Sequence, residues 1–315
     1  MTKILLSIAL LFALTACSAA PTNAPTPTNA ALPTSTTAPP VTAPPPTLTQ
    51  PPPTSTSTPY PATPAATPEF PLHNPYAVIL VPENDILNVR QAAGADSPIV
   101  DRFAFDAHNL ILTGKEMLLG DQRWVEVQGP AGGGLGWVNA YYLTEYLTPN
   151  AFCADQQVRT LLENLDAAMT EQDGARLSSL VSPTHGLNLQ YFHTGNTANY
   201  NQEEAKWMFS STYQMNWGMH PASGMEVKGS FHAEVLPKLM EVLESDYTLG
   251  CSDATLGPNS YLFQWPKEYS NINFYSLFKP GTPGIDLDWR TWLVGVEYVN
   301  GEPTLFAMMH LFWEP

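Results

Sequence analysis

The chain has 315 residues, of which 29 are acidic and 13 basic, giving a formal net charge of −16. This acidic balance, without any cluster of Lys and Arg, excludes the electrostatic footprint of a nucleic-acid-binding protein. An anionic membrane surface would repel the folded part of such a chain, so attachment to a membrane would need a lipid.

The N-terminus, residues 1–17, has the features of an export signal. Lys3 precedes an apolar stretch, Ile4–Leu14, that is too short to span a bilayer, and Leu14-Thr15-Ala16 lead directly into Cys17. A Cys after Leu-x-Ala resembles the lipobox of bacterial lipoproteins. The resemblance implies cleavage before Cys17, acylation of that residue, and a chain anchored on the outer face of the cytoplasmic membrane or in the periplasm or outer membrane. The alternative is an ordinary cleaved signal peptide with an incidental Cys.

Residues 18–72 consist almost entirely of Pro, Thr, Ala and Ser, with Glu69 as the only charge. Pro blocks helix interiors and sheet ladders, and few bulky apolar residues are present to form a core. We therefore expect a disordered Pro/Thr-rich linker that acts as a spacer, and its Thr content also permits O-glycosylation. A ligand for SH3 or WW domains would normally carry a nearby Arg or Lys, which this segment lacks.

Residues 74–148 read as short strands separated by turn signals. The predicted strands are Ala77–Val81, Leu87–Arg90, Ile99–Phe103, Asn109–Gly114, Trp124–Val127 and Leu135–Val138. This number of short strands in so few residues predicts a small all-β barrel.

This segment contains four separated motifs: Leu87-Asn88-Val89-Arg90, Ser97-Pro98-Ile99-Val100, Trp124-Val125-Glu126-Val127, and the run from Gly136-Trp137-Val138 to Tyr141-Tyr142-Leu143. In this order and spacing they resemble a bacterial SH3 (SH3b) domain. The resemblance implies binding of cell-wall peptides or glycan. Four aromatic residues are candidates for the binding groove: Trp124, Trp137, Tyr141 and Tyr142. For the two Trp residues the alternative is packing in the barrel core. The chain departs from the family pattern at Gln91-Ala92-Ala93 and Phe105-Asp106, which alters the loop beside that groove.

Residues 150–315 predict a second, α+β domain in which helices pack on a curved antiparallel sheet. The three- and four-residue spacing of apolar side chains predicts a helix over Asp155–Asp173, with Asp155 as its cap and Gly174 at its C-terminal stop. Shorter helices are predicted over Ala175–Val181 and Phe231–Ser245, the latter interrupted by Pro237. The chain ends in a predicted hairpin of Thr291–Val299 and Pro303–Trp313, joined by Asn300-Gly301.

The opening of this region, Leu165–Met169, Asp173–Leu177 and Leu180–Pro183, resembles NTF2-like or cystatin-like domains. Tyr213–Gly218 and Asp288-Trp289-Arg290 look similar to segments in the C-terminal regions of uncharacterised bacterial lipoproteins. Neither resemblance carries a functional residue into this chain.

In an exported protein, Cys153 and Cys251 are expected to form a disulfide. The alternative makes Cys251 the nucleophile and His310 the base of a cysteine peptidase resembling the NlpC/P60 type, an envelope hydrolase targeted by the SH3b domain. Gly250 and Asp253 break that family's Cys motif, and too few residues follow His310 to supply an orienting partner.

No catalytic residue, metal ligand set or cofactor motif is predicted. The His residues are scattered without metal-ligand spacing. We expect His185 to lie at the surface and His310 to lie in the core. Asp286 and Asp288 are close enough to suggest a glycosidase pair, but a structural pairing with Arg290 is favoured. The sequence therefore predicts a lipid-anchored envelope protein whose SH3b module binds cell-wall or extracellular material. Its C-terminal domain is expected to bind an unidentified ligand or to act as an inhibitor or subunit of an envelope complex.

Overall fold

The computed structural model describes residues 75–258 and 260–315. The predicted signal peptide with Cys17 and the predicted linker over residues 18–72 lie outside the described residues. All the described residues belong to one compact unit.

Residues 75–148 form eight strands, whose bounds are β1 (Tyr76–Val78), β2 (Ile86–Arg90), β3 (Ile99–Ala104), β4 (His108–Leu110), β5 (Leu112–Leu119), β6 (Gln122–Gln128), β7 (Leu135–Asn139) and β8 (Leu143–Glu145). Five of them make an antiparallel sheet in the order β3-β2-β7-β6-β5. Val89, Val127 and Val138 on its inner face are fully buried. Alternating apolar and polar residues along these strands produce this one-sided core.

The other three strands, β1, β4 and β8, belong to a larger sheet. β1 pairs with both β4 and β8, and Glu145 of β8 lies opposite Tyr298 in the C-terminal part of the chain. The six predicted strands correspond to β1–β7, because the predicted Asn109–Gly114 strand is divided at Ile111 into β4 and β5. The sequence does not predict β8.

The described residues of the C-terminal part contain five α-helices, a π-helical segment over Phe231–Val235 that runs into the last of them, and eight further strands. The helices are α1 (Pro149–Ala154), α2 (Gln156–Thr170), α3 (Gly174–Leu180), α4 (Gln202–Lys206) and α5 (Leu236–Leu243). The strands are β9 (Leu187–Gln190), β10 (Thr197–Tyr200), β11 (Met215–Met219), β12 (Glu226–Gly229), β13 (Thr248–Cys251), β14 (Asn273–Lys279), β15 (Arg290–Val299) and β16 (Glu302–Phe312). The large sheet runs β10-β9-β16-β15-β8-β1-β4, with β14 on β15 and β13 on β14. The described chain is thus a mixed α and β structure, rich in strands and built from several sheets.

Helix α2 confirms the predicted helix over Asp155–Asp173, apart from its last turn. The Asp155 side chain accepts a hydrogen bond from the backbone N–H of Gln157, as an N-cap should. Its predicted apolar positions are all buried: Val158, Leu161, Leu162, Leu165, Ala168 and Met169. These side chains pack with α5 and with the sheet in the largest apolar core of the chain.

The predicted role of Gly174 as the stop of α2 is wrong. The chain leaves α2 through Gln172, which adopts a positive φ of 52°. Gly174 is instead the first residue of α3, whose N-terminus is capped by the Asp173 carboxylate. A Cβ atom at position 174 would lie 2.0 Å from the carbonyl oxygen of Lys206, so this Gly permits the close approach of α4.

The predicted C-terminal hairpin is confirmed as β15 and β16. Asn300 and Gly301 have φ values of 55° and 80°, positive at both positions as a type I′ turn requires. Helices cover only one face of this hairpin, where Trp292 packs in the helical core. On the other face, Leu293 packs in one cluster with Ile79, Tyr269 and Ile272, so both faces of the hairpin are buried.

Candidate functional site

The four predicted groove residues lie on two neighbouring strands and on the turn that follows them. Trp124 is on β6, Trp137 on β7, and Tyr141 and Tyr142 form the short 3₁₀ turn that follows β7. Trp124 lies opposite Asn139 across the β6–β7 pair, and Glu126 lies opposite Trp137. Cross-strand partners share a face, so both Trp residues lie on the face opposite to the valine core, and neither is part of that core.

Two cavities adjoin each other beside this face, and we name them together the module groove. The first has a volume of about 330 Å³ and the second about 390 Å³. Three residues line both: Gln122, Asn139 and Tyr142. Trp124 lines the first cavity and Tyr141 the second, whereas Trp137 is not among the lining residues of either. The structure therefore brings three of the four predicted residues together around one groove.

Trp124, which lines the first cavity, carries a hydrogen-bond donor that has no partner among the described residues. The residue is only 4% exposed, and its indole Nε1 forms no hydrogen bond with any described residue. A buried Trp N–H normally finds a partner, because leaving a donor unsatisfied costs about 1–3 kcal/mol. The Nε1 atom is also closed to solvent, so its missing partner does not by itself point to a ligand.

The 3₁₀ turn that carries Tyr141 and Tyr142 is held by hydrogen bonds to both backbone groups of Tyr141. The Asn139 side chain accepts a hydrogen bond of 3.0 Å from the backbone N–H of Tyr141. From the C-terminal part of the chain, His185 Nε2 lies 2.8 Å from the carbonyl oxygen of Tyr141. Because a carbonyl oxygen only accepts, Nε2 must carry the hydrogen in this bond.

The opposite nitrogen of His185 is held equally firmly. Its Nδ1 lies 2.7 Å from Oε2 of Glu297 on β15, and the side chains of both residues are 1% exposed. One proton must lie between these two atoms, whichever of them carries it. The predicted surface position of His185 is therefore wrong: the residue is 5% exposed and connects the groove to the central hairpin.

The outer face of β6 also carries a compensated charge. Glu126 lies 3.0 Å from Lys115 Nζ and accepts a 2.7 Å hydrogen bond from Thr113. Burial acts to raise the pKa of Glu126, but the hydrogen bonds from Thr113 and Lys115 outweigh it and lower that pKa. Glu126 is consequently an anion that is already paired, and it lines neither cavity; the charged residues that do line them are Arg90, Asp121 and Arg123.

The two cysteines do not offer a nucleophile. The sulfur atoms of Cys153 and Cys251 lie at disulfide distance, with their Cα atoms 5.9 Å apart. His310 is 2% exposed, and the rings of Tyr191, Trp292 and Phe312 stack on its imidazole with centroids 5.4, 4.7 and 4.9 Å away. Burial, with the charge of Arg290, lowers the pKa of His310 to about 3. A disulfide sulfur and an enclosed imidazole give no support to the hydrolase alternative.

Other chemistry-bearing groups of the described chain have structural partners. Asp288 accepts hydrogen bonds from the backbone and hydroxyl of Thr282, and Arg290 pairs with Glu241 rather than with either nearby Asp. Within the described ranges, no three His, Cys, Asp or Glu side chains come together as metal ligands would. None of the helices in the same ranges has the length and apolar character needed to cross a membrane.

Comparison with models of protein families, with curated proteins and with solved structures finds no match to this chain.

Proposed function

We propose that this protein is an exported, lipid-anchored envelope protein whose SH3b-like module, residues 74–148, binds peptidoglycan in the module groove. Acylated Cys17 would hold the chain on the membrane, and residues 18–72 would space the folded part from it. The role is one of binding rather than catalysis.

The observation that carries this proposal is that Trp124, Tyr141 and Tyr142 line one groove. Its polar lining includes the side-chain amides of Gln122 and Asn139, which both donate and accept hydrogen bonds, and the charged side chains of Arg90, Asp121 and Arg123. Tyr141 adds a ring that is 50% exposed and available for stacking. Amides, charged groups and aromatic faces suit a ligand rich in hydroxyl and carbonyl oxygens, as peptidoglycan is.

Co-sedimentation of the purified full chain with insoluble peptidoglycan tests this proposal. Trp124→Phe keeps an aromatic ring but removes the larger indole from the groove wall, so the affinity is expected to fall by about tenfold. Trp289→Phe is the matched control, because Trp289 is also buried with an unpaired Nε1 but does not line the groove. Equal binding by both variants, or no binding by the unaltered chain, would refute the proposal. Thermal melts of both variants separate lost binding from lost folding.

The proposed anchor has its own test. Cells expressing the chain are fed a labelled fatty acid, and the label is expected in the protein and in the membrane fraction. Cys17→Ser should abolish both, since it removes the thiol that accepts the acyl chains. Labelling that persists in Cys17→Ser, or a soluble unlabelled parent protein, would contradict lipid anchoring.

A further inference from the structure

A second cavity, which we name the aromatic pocket, lies in the C-terminal part beside β10 and α4. Its volume is about 510 Å³. Met208 and Phe231, which are 1% and 3% exposed, form its apolar floor. Its walls include three further rings, those of Tyr200, Trp207 and Tyr213. The pocket shares no lining residue with the module groove.

Two of these rings are unusually open to solvent for aromatic side chains. Trp207 is 56% exposed and Tyr213 is 74% exposed. The Trp207 ring is nevertheless held in place, since its Nε1 donates a 3.0 Å hydrogen bond to Glu203 Oε1. Glu203 is in turn held by Lys206 through its other oxygen, at 3.0 Å. An exposed ring that is fixed in this way presents a ready binding face with little entropy left to lose.

The charge at the pocket is negative and is located on one side chain. Lys206 pairs with Glu203, and Lys228 pairs with Glu226. Glu204 lines the pocket and forms no ion pair with any other described residue. One of its oxygens accepts a 3.0 Å hydrogen bond from the backbone N–H of Asn201, which fixes the carboxylate at the start of α4. Neither Lys nor Arg is among the lining residues.

The titration of Tyr200 is governed mainly by burial, with a smaller contribution from the negative potential of Glu204. Burial, reinforced by Glu204 and Tyr213, raises the pKa of Tyr200 to about 12. The same potential would favour a cation in the pocket and oppose an anion.

From this combination we infer that the aromatic pocket binds a methylated ammonium group, as carried by choline and related compounds. Such a group is apolar at its surface and positively charged, so it suits both several ring faces and one carboxylate. A neutral apolar ligand would gain nothing from the exposed Glu204 carboxylate, and an anionic one would be repelled by it. This inference does not depend on the function of the module groove.

The test uses a pair of probes that differ in charge but not in shape. Calorimetric titration of the full chain compares choline with 3,3-dimethyl-1-butanol, in which a carbon replaces the positive nitrogen. Choline is expected to bind about tenfold more tightly than its neutral analogue. Equal affinity for the two probes, or no detectable choline binding, would overturn the inference.

Variants assign the binding to this pocket. Trp207→Ala and Glu204→Gln are each expected to weaken choline binding by about tenfold. Gln at position 204 can still accept the hydrogen bond from Asn201, so α4 keeps its cap while the charge is lost. Glu163→Gln, on exposed α2 surface, is the matched control for lost charge and should bind as the parent does. Unchanged affinity in both pocket variants would overturn the assignment.

The methylated ammonium group could belong to a free solute or to a lipid headgroup, and vesicles distinguish the two. The Cys17→Ser variant of the full chain, which carries no acyl chains, is sedimented with phosphatidylcholine vesicles to measure headgroup binding. If the chain sediments with the vesicles and Trp207→Ala does not, the ligand is a lipid headgroup. If the chain binds choline in the calorimeter but does not sediment with the vesicles, the ligand is a soluble compound.

Discussion

The bond between Cys153 and Cys251 should contribute more to stability than any other single linkage in the described chain. It joins the end of α1 to the end of β13 across a sequence separation of 98 residues. The closed loop contains α2 to α5, that is, four of the five helices. In the chain-entropy model, closing a loop of about 100 residues in the unfolded chain stabilises the folded state by about 4.7 kcal/mol.

The perturbation is the double substitution Cys153→Ala/Cys251→Ala, with urea unfolding followed by circular dichroism. The free energy of unfolding is expected to fall by about 4–5 kcal/mol, which corresponds to a decrease in Tm of about 8–20 °C for a folded part of this size. The slope of the unfolding free energy against urea should rise, because the unfolded chain becomes less compact once the link is removed.

The reduced parent protein is the control that separates the effect of the disulfide bond on stability from the effect of side-chain packing. Both sulfur atoms are half-buried against the helical core, so the Ala variant also loses some contacts, whereas reduction breaks only the bond. A loss below about 1 kcal/mol in the reduced protein would refute the entropic reasoning. Cysteines that alkylate fully without reductant would refute the bond itself.

Three further substitutions have effects that follow from single contacts. His310 has a folded pKa of about 3 against about 6.5 in an unfolded chain, so the unfolded state binds more protons between these values. Stability should therefore fall by up to about 1.4 kcal/mol per pH unit as the pH drops below about 6.5, and His310→Phe should remove that contribution in urea unfolding at several pH values. Gly174→Ala should destabilise the fold by about 1–3 kcal/mol, because the added Cβ meets the Lys206 carbonyl oxygen at 2.0 Å. Tyr298→Phe should cost about 1.5–3 kcal/mol by removing the 2.7 Å hydrogen bond to the Asp155 carboxylate.

Each of these predictions has a result that would contradict it. An unchanged pH dependence in His310→Phe would show that the imidazole is accessible to protons in the folded state. Gly134→Ala, where an added Cβ meets nothing within 4 Å, is the control for Gly174→Ala, and equal stability of the two would contradict the clash. An unchanged free energy of unfolding in Tyr298→Phe would show that water replaces the carboxylate contact at no cost.

The sequence predicts best those elements whose determining residues lie close together in the chain. The capping residue Asp155 and the apolar stripe of α2 are encoded in one short window. The same is true of Asn300-Gly301, which bends the chain between two apolar strands. In both cases the local conformation and the burial favour the same structure, so no distant partner is needed to select it.

Features that depend on distant partners could not be predicted. Strand β8 is only three residues long, and its partners β1 and β15 lie far away in the chain. His185 is buried because Tyr141 and Glu297, at separations of 44 and 112 residues, supply partners for its two nitrogens. The flanking residues of such a His resemble those of any surface loop. The groove aromatics were predicted only through a family resemblance, and nothing local reveals that the N–H of Trp124 is unpaired.

These long-range partners decide what the module groove is. Tyr141 reaches its position because His185 holds its carbonyl oxygen, and Thr184, the neighbour of His185, lines the same cavity. The strands β1 and β8 that flank the module also pair within the large sheet rather than the small one. Residues 74–148 alone would lack the imidazole, the Glu297 carboxylate behind it and the partner of β8 at Tyr298. The groove that the structure shows is therefore a property of the whole described chain, and ligand affinity measured on the isolated segment would describe a less ordered surface.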